Sequence, residues 1–302
     1  MKFTRNNMSI AKQGVPLFVL VLSLVGASCQ AKDVSTSVPA PLPPTLMGTW
    51  QVTEVHTDQG ESHWSRTRND KYNIHKYLGR VFVFTPQRLT TNSPEDKRCD
   101  DPHVAVHHTT AGNAVSTSIA SRPFFPVQPT PEDFQLPLLD NAPIEVLSLQ
   151  CSDGLFAKNL GGSLDPDTGI DGAWLIVLSK DRLALRWHDE TILILNRLAA
   201  NTKPVASFDC TKATTDVEKT ICGSVPLAAY DQSVAQTYKL SMEYYKVKKN
   251  TDAQIVELKK SQKQWLMQRN ACNTDKTCLE KSMGDRIIEM DYEIASHAYD
   301  NR

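Results

Sequence analysis

The chain has 302 residues, with 33 Lys and Arg against 34 Asp and Glu, and a formal net charge of -1. This near-balance excludes a strongly basic nucleic-acid binder and an acidic disordered tail. Hydrophobic residues make up 40% of the chain and charged residues 22%. These fractions are ordinary for a globular protein, and the length suffices for about two domains.

The N-terminus has the layout of a secretion signal. Basic residues precede an apolar run from Val15 to Ala27, and no acidic residue occurs before Asp33. The run is shorter than the roughly 20 apolar residues that a permanent transmembrane helix requires. We therefore predict a signal peptide over residues 1–28 and export of the chain.

The residues after the apolar run suggest a lipid anchor. Gly26-Ala27-Ser28-Cys29 resembles a bacterial lipobox, in which small residues precede the cysteine that is lipidated. Gly26 stands where that pattern prefers Leu, so ordinary signal-peptidase cleavage after Ala31 is the alternative. Residues 29–45 are rich in Pro and Ser and predict an extended tether. This order favours a lipoprotein held in the periplasm, for example on the outer membrane.

The chain has seven cysteines, an odd number for an exported protein. Once Cys29 is lipidated or cleaved away, six remain, and an oxidising compartment favours disulfide bonds. We expect the pairs Cys99–Cys151, Cys210–Cys222 and Cys272–Cys278. Zinc is the weaker alternative. Eleven residues lie between Cys210 and Cys222 and five between Cys272 and Cys278, whereas the cysteines of a zinc ribbon form tighter pairs.

Residues 46–200 have the pattern of a β-rich domain. Alternating or apolar segments separated by turn residues predict strands near Trp50–Val55, Arg80–Thr85, Ala173–Leu178, Arg182–Trp187 and Thr191–Leu195. Such a series predicts an antiparallel barrel or sandwich. Six prolines between Ser121 and Pro143 indicate a long irregular excursion. Gly48-Thr49-Trp50 resembles the start of lipocalin-like barrels, although a generic barrel or sandwich explains the Trp equally well.

Residues 201–302 have the pattern of a small helical bundle. Thr215 to Glu218 is a capping box that begins a short helix ending at Gly223. Apolar residues at steps of three and four then predict three more helices, over Ser224–Tyr245, Ile255–Arg269 and Cys278–Ile294. The predicted fold class is therefore α+β, with an N-terminal β-domain and a C-terminal bundle stapled by disulfides.

A series of motifs in the last third resembles the LprI-type lysozyme-inhibitor domain of exported bacterial proteins. That family has the order Cys, Glu-x-x-Ile-Cys, Leu-x-x-Leu-Asp, Tyr, Gln-x-x-Trp-Leu, Arg, Cys, Cys. The corresponding residues here are Cys210, Glu218, Ile221, Cys222, Leu227, Tyr230, Asp231, Tyr238, Gln262, Trp265, Leu266, Arg269, Cys272, Cys278 and Arg286. Tyr230 departs from the usual Leu, and Gln264 is an alternative to Gln262.

The resemblance implies an envelope protein that binds and inhibits a peptidoglycan hydrolase, and it implies no catalytic residues and no cofactor. The target is expected to be host lysozyme or a rival bacterium's toxin, and in the second case the chain is an immunity protein. Two alternatives belong to other classes. The β-domain could be a lipocalin-like carrier of a small apolar ligand, or the chain could be an envelope enzyme.

Lysines are concentrated around the turn between the second and third predicted helices of the bundle. They are Lys246, Lys248, Lys249, Lys259, Lys260 and Lys263. A solvated helix end explains them without a function. The functional interpretation is that this cationic tip enters the cleft of a glycoside hydrolase, where a carboxylate pair lies. We expect charge reversal at Lys248, Lys249 and Lys260 to weaken inhibition.

Three other clusters have the residue types of a site but a simpler explanation. His103, His107 and His108 are typical of metal ligands, yet neighbouring residues of a strand point to opposite faces. Asp165, Asp167 and Asp171 form a weak calcium candidate that lacks the closing Glu of an EF-hand loop. His188-Asp189-Glu190 has the groups for acid–base chemistry, but its place between two apolar strands indicates a hairpin tip.

Overall fold

The computed structural model describes residues 39–59, 70–119, 128–157, 160, 170–188, 190–248 and 251–299. Within these residues, eleven strands form one antiparallel sheet. The strands are Ala40–Pro41 (β1), Gly48–Thr57 (β2), Val81–Phe84 (β3), Arg88–Thr91 (β4), Arg98–Asp100 (β5), His103–Thr110 (β6), Pro143–Cys151 (β7), Gly154–Leu155 (β8), Trp174–Ser179 (β9), Arg182–Trp187 (β10) and Thr191–Arg197 (β11). Their order in the sheet is β1-β6-β7-β9-β10-β11-β2-β3-β4-β5, and β8 pairs with β7. The predicted antiparallel β architecture is confirmed.

The sheet is curled, so that two strands far apart in its order meet. The disulfide Cys99–Cys151 joins β5 to β7, and the amide of Ser152 donates to the carbonyl oxygen of Asp100 at 2.9 Å. Register shifts in β11–β2 and in β10–β9 contribute to the curvature, since a bulge increases local twist. The strands from β7 round to β5 therefore enclose a common interior.

Large apolar side chains fill this interior. Trp50, Phe82 and Trp187 have no exposed surface, and the rings of Phe82 and Trp187 meet edge to face at 5.2 Å. Trp50 donates its indole N–H to the carbonyl of Leu46 at 2.8 Å, and the guanidinium of Arg197 lies over its ring at 4.1 Å. The interior is a packed core, and burial of each such side chain stabilises the fold by about 1.5–3 kcal/mol.

A second layer covers part of the outer face of the sheet. It consists of helix Ala111–Ser118 (α2) and the proline-rich segment from residue 128 onward. Phe134 is fully buried against the sheet, and Trp174 donates its indole N–H to the hydroxyl of Ser118 at 2.9 Å. The excursion predicted from the prolines is irregular, as expected, but it also contributes to a core.

The C-terminal helices are Asp216–Cys222 (α3), Val225–Val247 (α4), Asp252–Asn270 (α5) and Lys276–Tyr299 (α6). Each begins or ends where the sequence predicts within a few residues. Thr215 and Glu218 make the capping box, and Gly223 caps the end of α3. The apolar faces of these helices pack on one another around Tyr230, Leu279 and Met283. The predicted helical bundle is confirmed, and no helix among the described residues meets the length and hydropathy that a membrane span requires.

One buried arginine joins the sheet to the bundle. Arg80 lies between helix Asp70–Tyr77 (α1) and β3, and its guanidinium stacks on the ring of Tyr230 in α4 at 3.5 Å. It also donates to the hydroxyl of Ser233 at 2.8 Å and to the carbonyl of Leu78 at 3.0 Å. Tyr230 in turn donates its hydroxyl to the carbonyl of Asn92. Burial lowers the pKa of Arg80 and raises that of Tyr230.

Some predictions concern residues outside the described ranges. These include the signal peptide, Cys29 and most of the tether over 29–45. The end of that tether is described, and there Ala40 and Pro41 pair with β6 while Leu42 is buried. Val34–Arg302 forms one compact unit, so the boundary proposed at residue 200 remains a prediction.

The close approach of α4 to the sheet gives the first testable prediction. Gly79 has φ +77°, and a Cβ there would lie 2.6 Å from the Cβ of Ala229. We expect Gly79→Ala to lower the free energy of unfolding by about 2–5 kcal/mol, through backbone strain and steric overlap together. Gly154→Ala is the matched control, because Gly154 has φ +117° but nothing within 4 Å of the added Cβ. Urea denaturation measures both, and equal losses would contradict the steric argument.

Candidate functional site

The motif residues of the helical region build its interior. Asp231 of α4 accepts from the amide of Ser207 at 2.8 Å and from the guanidinium of Arg269 in α5 at 3.3 Å. Asp231 and Arg269 are both more than nine-tenths buried. Burial lowers the pKa of Arg269, and the carboxylate of Asp231 opposes that effect. This buried pair connects α4 to α5.

A second buried arginine connects α5 to α6. Arg286 is 1% exposed, and its guanidinium donates to Gln262 at 3.0 Å, to Ser261 at 3.0 Å and to Glu289 at 2.8 Å. Gln262, rather than the exposed Gln264, is thus the glutamine of the internal network. Trp265 donates its indole N–H to the carbonyl of Ser282 at 3.1 Å.

Two disulfides close the short connections of the helical region. Cys210–Cys222 ties the turn before α3 to the end of that helix, and Cys272–Cys278 ties the end of α5 to the beginning of α6. Together with Cys99–Cys151, the structure contains all three pairs that the sequence predicts. A disulfide in a short loop contributes roughly 2–3 kcal/mol in the chain-entropy account.

The six candidate lysines separate into two groups. Lys246 and Lys248 are exposed at the end of α4, where the ammonium of Lys248 lies 4.6 Å above the ring of Tyr244. Lys259, Lys260 and Lys263 are exposed on α5 itself. Lys263 is 11 residues beyond the start of α5, which places it about 16 Å along the helix axis. Lys249 lies outside the described residues. The tip that the sequence predicts is therefore a surface extended along α5.

Exposed apolar side chains accompany the lysines on α5. Val256 is 64% exposed, Met267 61% and Leu266 37%. Only Leu258, Trp265 and Arg269 of this helix are buried. The sequence predicts α5 from its apolar stripe and includes Leu266 among the motif residues, but Val256 and Met267 were not identified as exposed. Val256 and Met267 lie opposite Leu258 and Trp265 on a helical projection, which is the signal that would have found them, and Leu266 lies at the edge of the buried stripe.

The other candidate clusters do not converge in the described residues. His107 is buried and His108 is exposed, on opposite faces of β6, and no three His, Cys, Asp or Glu side chains of the described part could hold a metal ion. His188 is bonded to Asp96 at 2.5 Å, and Asp189 lies outside the described ranges. These two clusters therefore have local roles in the structure described.

The calcium candidate is described only at Asp171, because Asp165 and Asp167 lie outside the described residues. The charge of Asp171 acts on the buried guanidinium of Arg186, which donates to the carbonyls of Gly172 and Leu160 at 2.8 Å. Burial lowers the pKa of Arg186 to about 10, and Glu190 and Asp171 oppose the effect. A calcium site at this loop remains a prediction.

Comparison with known proteins finds a family match for the helical region. Residues 210–295 match the family of lysozyme inhibitor LprI. Relatives of this region include proteins named Lipoprotein LprI in Mycobacterium tuberculosis (strain ATCC 25618 / H37Rv) and Mycobacterium bovis (strain ATCC BAA-935 / AF2122/97). Each is 28% identical over an alignment of 110 positions that covers 33% of this chain. The match spans about half, 52%, of those relatives. No solved structure matches the chain.

The LprI resemblance predicted for the C-terminal third is thus confirmed. Its motif residues, including Asp231, Trp265, Arg269 and Arg286, are buried and hold the helices together. Tyr230, which departs from the family's usual Leu, has a specific role here, because its ring face receives the guanidinium of Arg80. Most of the LprI motif residues therefore belong to a framework, although Leu266 is exposed on α5.

The internal ion pair gives the second prediction. We expect Asp231→Asn to lower the free energy of unfolding by about 3–5 kcal/mol, because it leaves the buried charge of Arg269 uncompensated. Asp285→Asn is the control, since it removes an exposed pair with Lys281 and should cost less than about 1 kcal/mol. Thermal or urea unfolding checks the difference, and a small effect of Asp231→Asn would show that the pair is not needed.

Proposed function

We propose that this protein is an exported inhibitor of a lysozyme-like peptidoglycan hydrolase and that its helical region makes the inhibitory contact. The match of residues 210–295 to lysozyme inhibitor LprI carries the proposal. The rigid framework of α3 to α6 supports it, because a preorganised surface loses little conformational entropy when it binds a partner. The proposed activity is stoichiometric binding.

The proposed location follows from the N-terminal pattern and from the relatives. Proteins that share the LprI-type region are named lipoproteins, and Cys29 follows small residues as in a lipobox. We propose that the chain is anchored through Cys29 and faces the periplasm. There it would meet host lysozyme, or a peptidoglycan-cleaving toxin delivered by a rival bacterium, and in the second case it would act as an immunity protein.

The curled sheet is proposed to act as a platform. A carrier of a small apolar ligand needs an internal cavity, but Trp50, Phe82, Phe156 and Trp187 occupy the space enclosed by the strands. We therefore favour the inhibitor over the carrier alternative. In this proposal the sheet holds α4 through Arg80 and keeps α5 turned toward solvent.

A lysis assay tests the function. The full chain, purified in mild detergent so that an acylated form stays soluble, is titrated against c-type, g-type and phage-type lysozymes acting on bacterial cell walls. We expect inhibition of at least one class that is complete near one equivalent. Raising the salt concentration from about 50 to 500 mM should weaken it, because charge pairing at the contact is screened.

The control is the same protein after reduction and alkylation of its disulfides, which should lose inhibition as the helical framework loosens. Undiminished cell-wall lysis at a tenfold excess of the oxidised protein, for every class in the panel, would refute the proposed function. If the reduced and alkylated form inhibits as strongly as the oxidised protein, the role of the disulfide-stapled helices is refuted.

A further inference from the structure

Two lysines on α5 have no acidic residue three or four positions away along the helix. Lys259 and Lys263 are four residues apart, so they lie one above the other on the exposed side of the helix. The residues three and four positions from each of them are Ile255, Val256, Lys260, Gln262, Leu266 and Met267. Lys260, by contrast, pairs with Glu257 at 3.4 Å. Within the described residues, Lys259 and Lys263 have no recorded ion pair.

This arrangement opposes helix stability. Like charges four residues apart repel each other, and no carboxylate on α5 is placed to compensate them. Around the pair, Val256, Leu266 and Met267 expose apolar surface. Apolar side chains grouped on an exposed face are typical of an interaction site, and here they border two ammonium groups, so the face offers apolar surface and positive charge together. The face is built for a partner rather than for solvent.

The spacing of the pair indicates what that partner presents. Side chains at i and i+4 have Cβ atoms about 5–6 Å apart. The two catalytic carboxyl groups of glycoside hydrolases are separated by about 5–9.5 Å across the scissile bond. Flexible lysine side chains on one helix face can therefore meet both carboxylates at once. Lys248 cannot share that task with Lys263, because about 16 Å of helix lies between the start of α5 and Lys263.

We propose that Lys259 and Lys263 together neutralise the catalytic carboxylate pair of the inhibited hydrolase, with the α5 face of Val256, Leu266 and Met267 filling the surrounding glycan cleft. This proposal rests on the proposed function and names the residues that perform it. The bound helix would exclude the polysaccharide from the cleft, and the two ammonium groups would take the place of the oxocarbenium-like charge that the cleft stabilises during catalysis.

Matched double variants test the assignment. Lys259→Glu/Lys263→Glu keeps a like-charge pair on α5, so the stability of the helix should change little. We expect it to raise the inhibitor concentration for half-maximal inhibition by at least 30-fold. Lys246→Glu/Lys248→Glu changes the net charge of the protein by the same amount at the end of α4, and it should raise that concentration by less than about threefold. Circular dichroism verifies that both variants are folded.

A double-mutant cycle identifies the partner groups. A catalytic carboxylate of the sensitive hydrolase is replaced by its amide, and binding to the unchanged inhibitor and to Lys259→Glu/Lys263→Glu is measured by calorimetry. Direct pairing predicts that the two changes are coupled by about tenfold or more in Kd. Additive effects would overturn direct pairing, and equal losses in the two lysine variants would reduce the role of Lys259 and Lys263 to long-range charge.

Two further outcomes separate the possible failures. If the unchanged protein inhibits but Lys259→Glu/Lys263→Glu inhibits equally well, the site is wrong and the proposed function stands. If the unchanged protein inhibits no hydrolase of the panel, the proposed function fails and this site fails with it.

Binding to vesicles of phosphatidylglycerol is measured as the last comparison. Lysine-dependent binding to them, with inhibition unaffected by the substitutions, would assign the face to an anionic membrane surface instead.

Discussion

The buried guanidinium of Arg80 is the contact on which the arrangement of this molecule depends. It belongs to the sheet side of the chain, yet its flat face lies on Tyr230 of α4 and its N–H groups bind Ser233 and Leu78. A buried cation is costly unless its surroundings supply an electron-rich face and acceptors in fixed positions. Any rotation of α4 relative to the sheet would remove those partners. The position of α4 is therefore determined, and α6 and α5, which pack on α4, are positioned with it.

The need of a buried charge for fixed partners also explains which residues make up the LprI motifs. Its motif residues are a set of buried charges and their partners, Asp231 with Arg269 and Arg286 with Gln262, together with the cysteines that close the connections. Residues of this kind are constrained by each other, because removing one leaves the other unsatisfied. Exposed residues such as Val256 and Lys263 have no such constraint from the fold. The match to the family therefore describes a scaffold, and the contact that we propose lies mainly outside it, on the outer face of α5.

The helices could be predicted from the sequence because their determinants are local. The capping box at Thr215, the end at Gly223 and apolar steps of three and four all act within a few residues. The pairing of cysteines was predicted from their compartment and distribution alone.

Helices α1 and α2 were not predicted, because both are short and take their stability from the surfaces they cover. The role of Arg80 was also not predictable, since its partners on α4 are about 150 positions away in the chain. The sequence places the lysines around one turn, but only the helical geometry divides the described ones between α4 and α5, and their role in binding stays a prediction.

The sheet and helix α5 differ in how many buried contacts stabilise them. Packed side chains inside the curled sheet, a covered outer face and the bond between Cys99 and Cys151 make the sheet a stable base. Helix α5 buries only three residues and so contributes less to the core than α4 or α6. It is nevertheless held in its second half, where Gln262 binds Arg286 and Arg269 binds Asp231, and Cys272 just beyond its end is bonded to Cys278. A helix held in this way can carry repelling lysines and exposed apolar groups without unfolding. That tolerance is what a binding surface requires, since its side chains must be free to suit a partner rather than the fold.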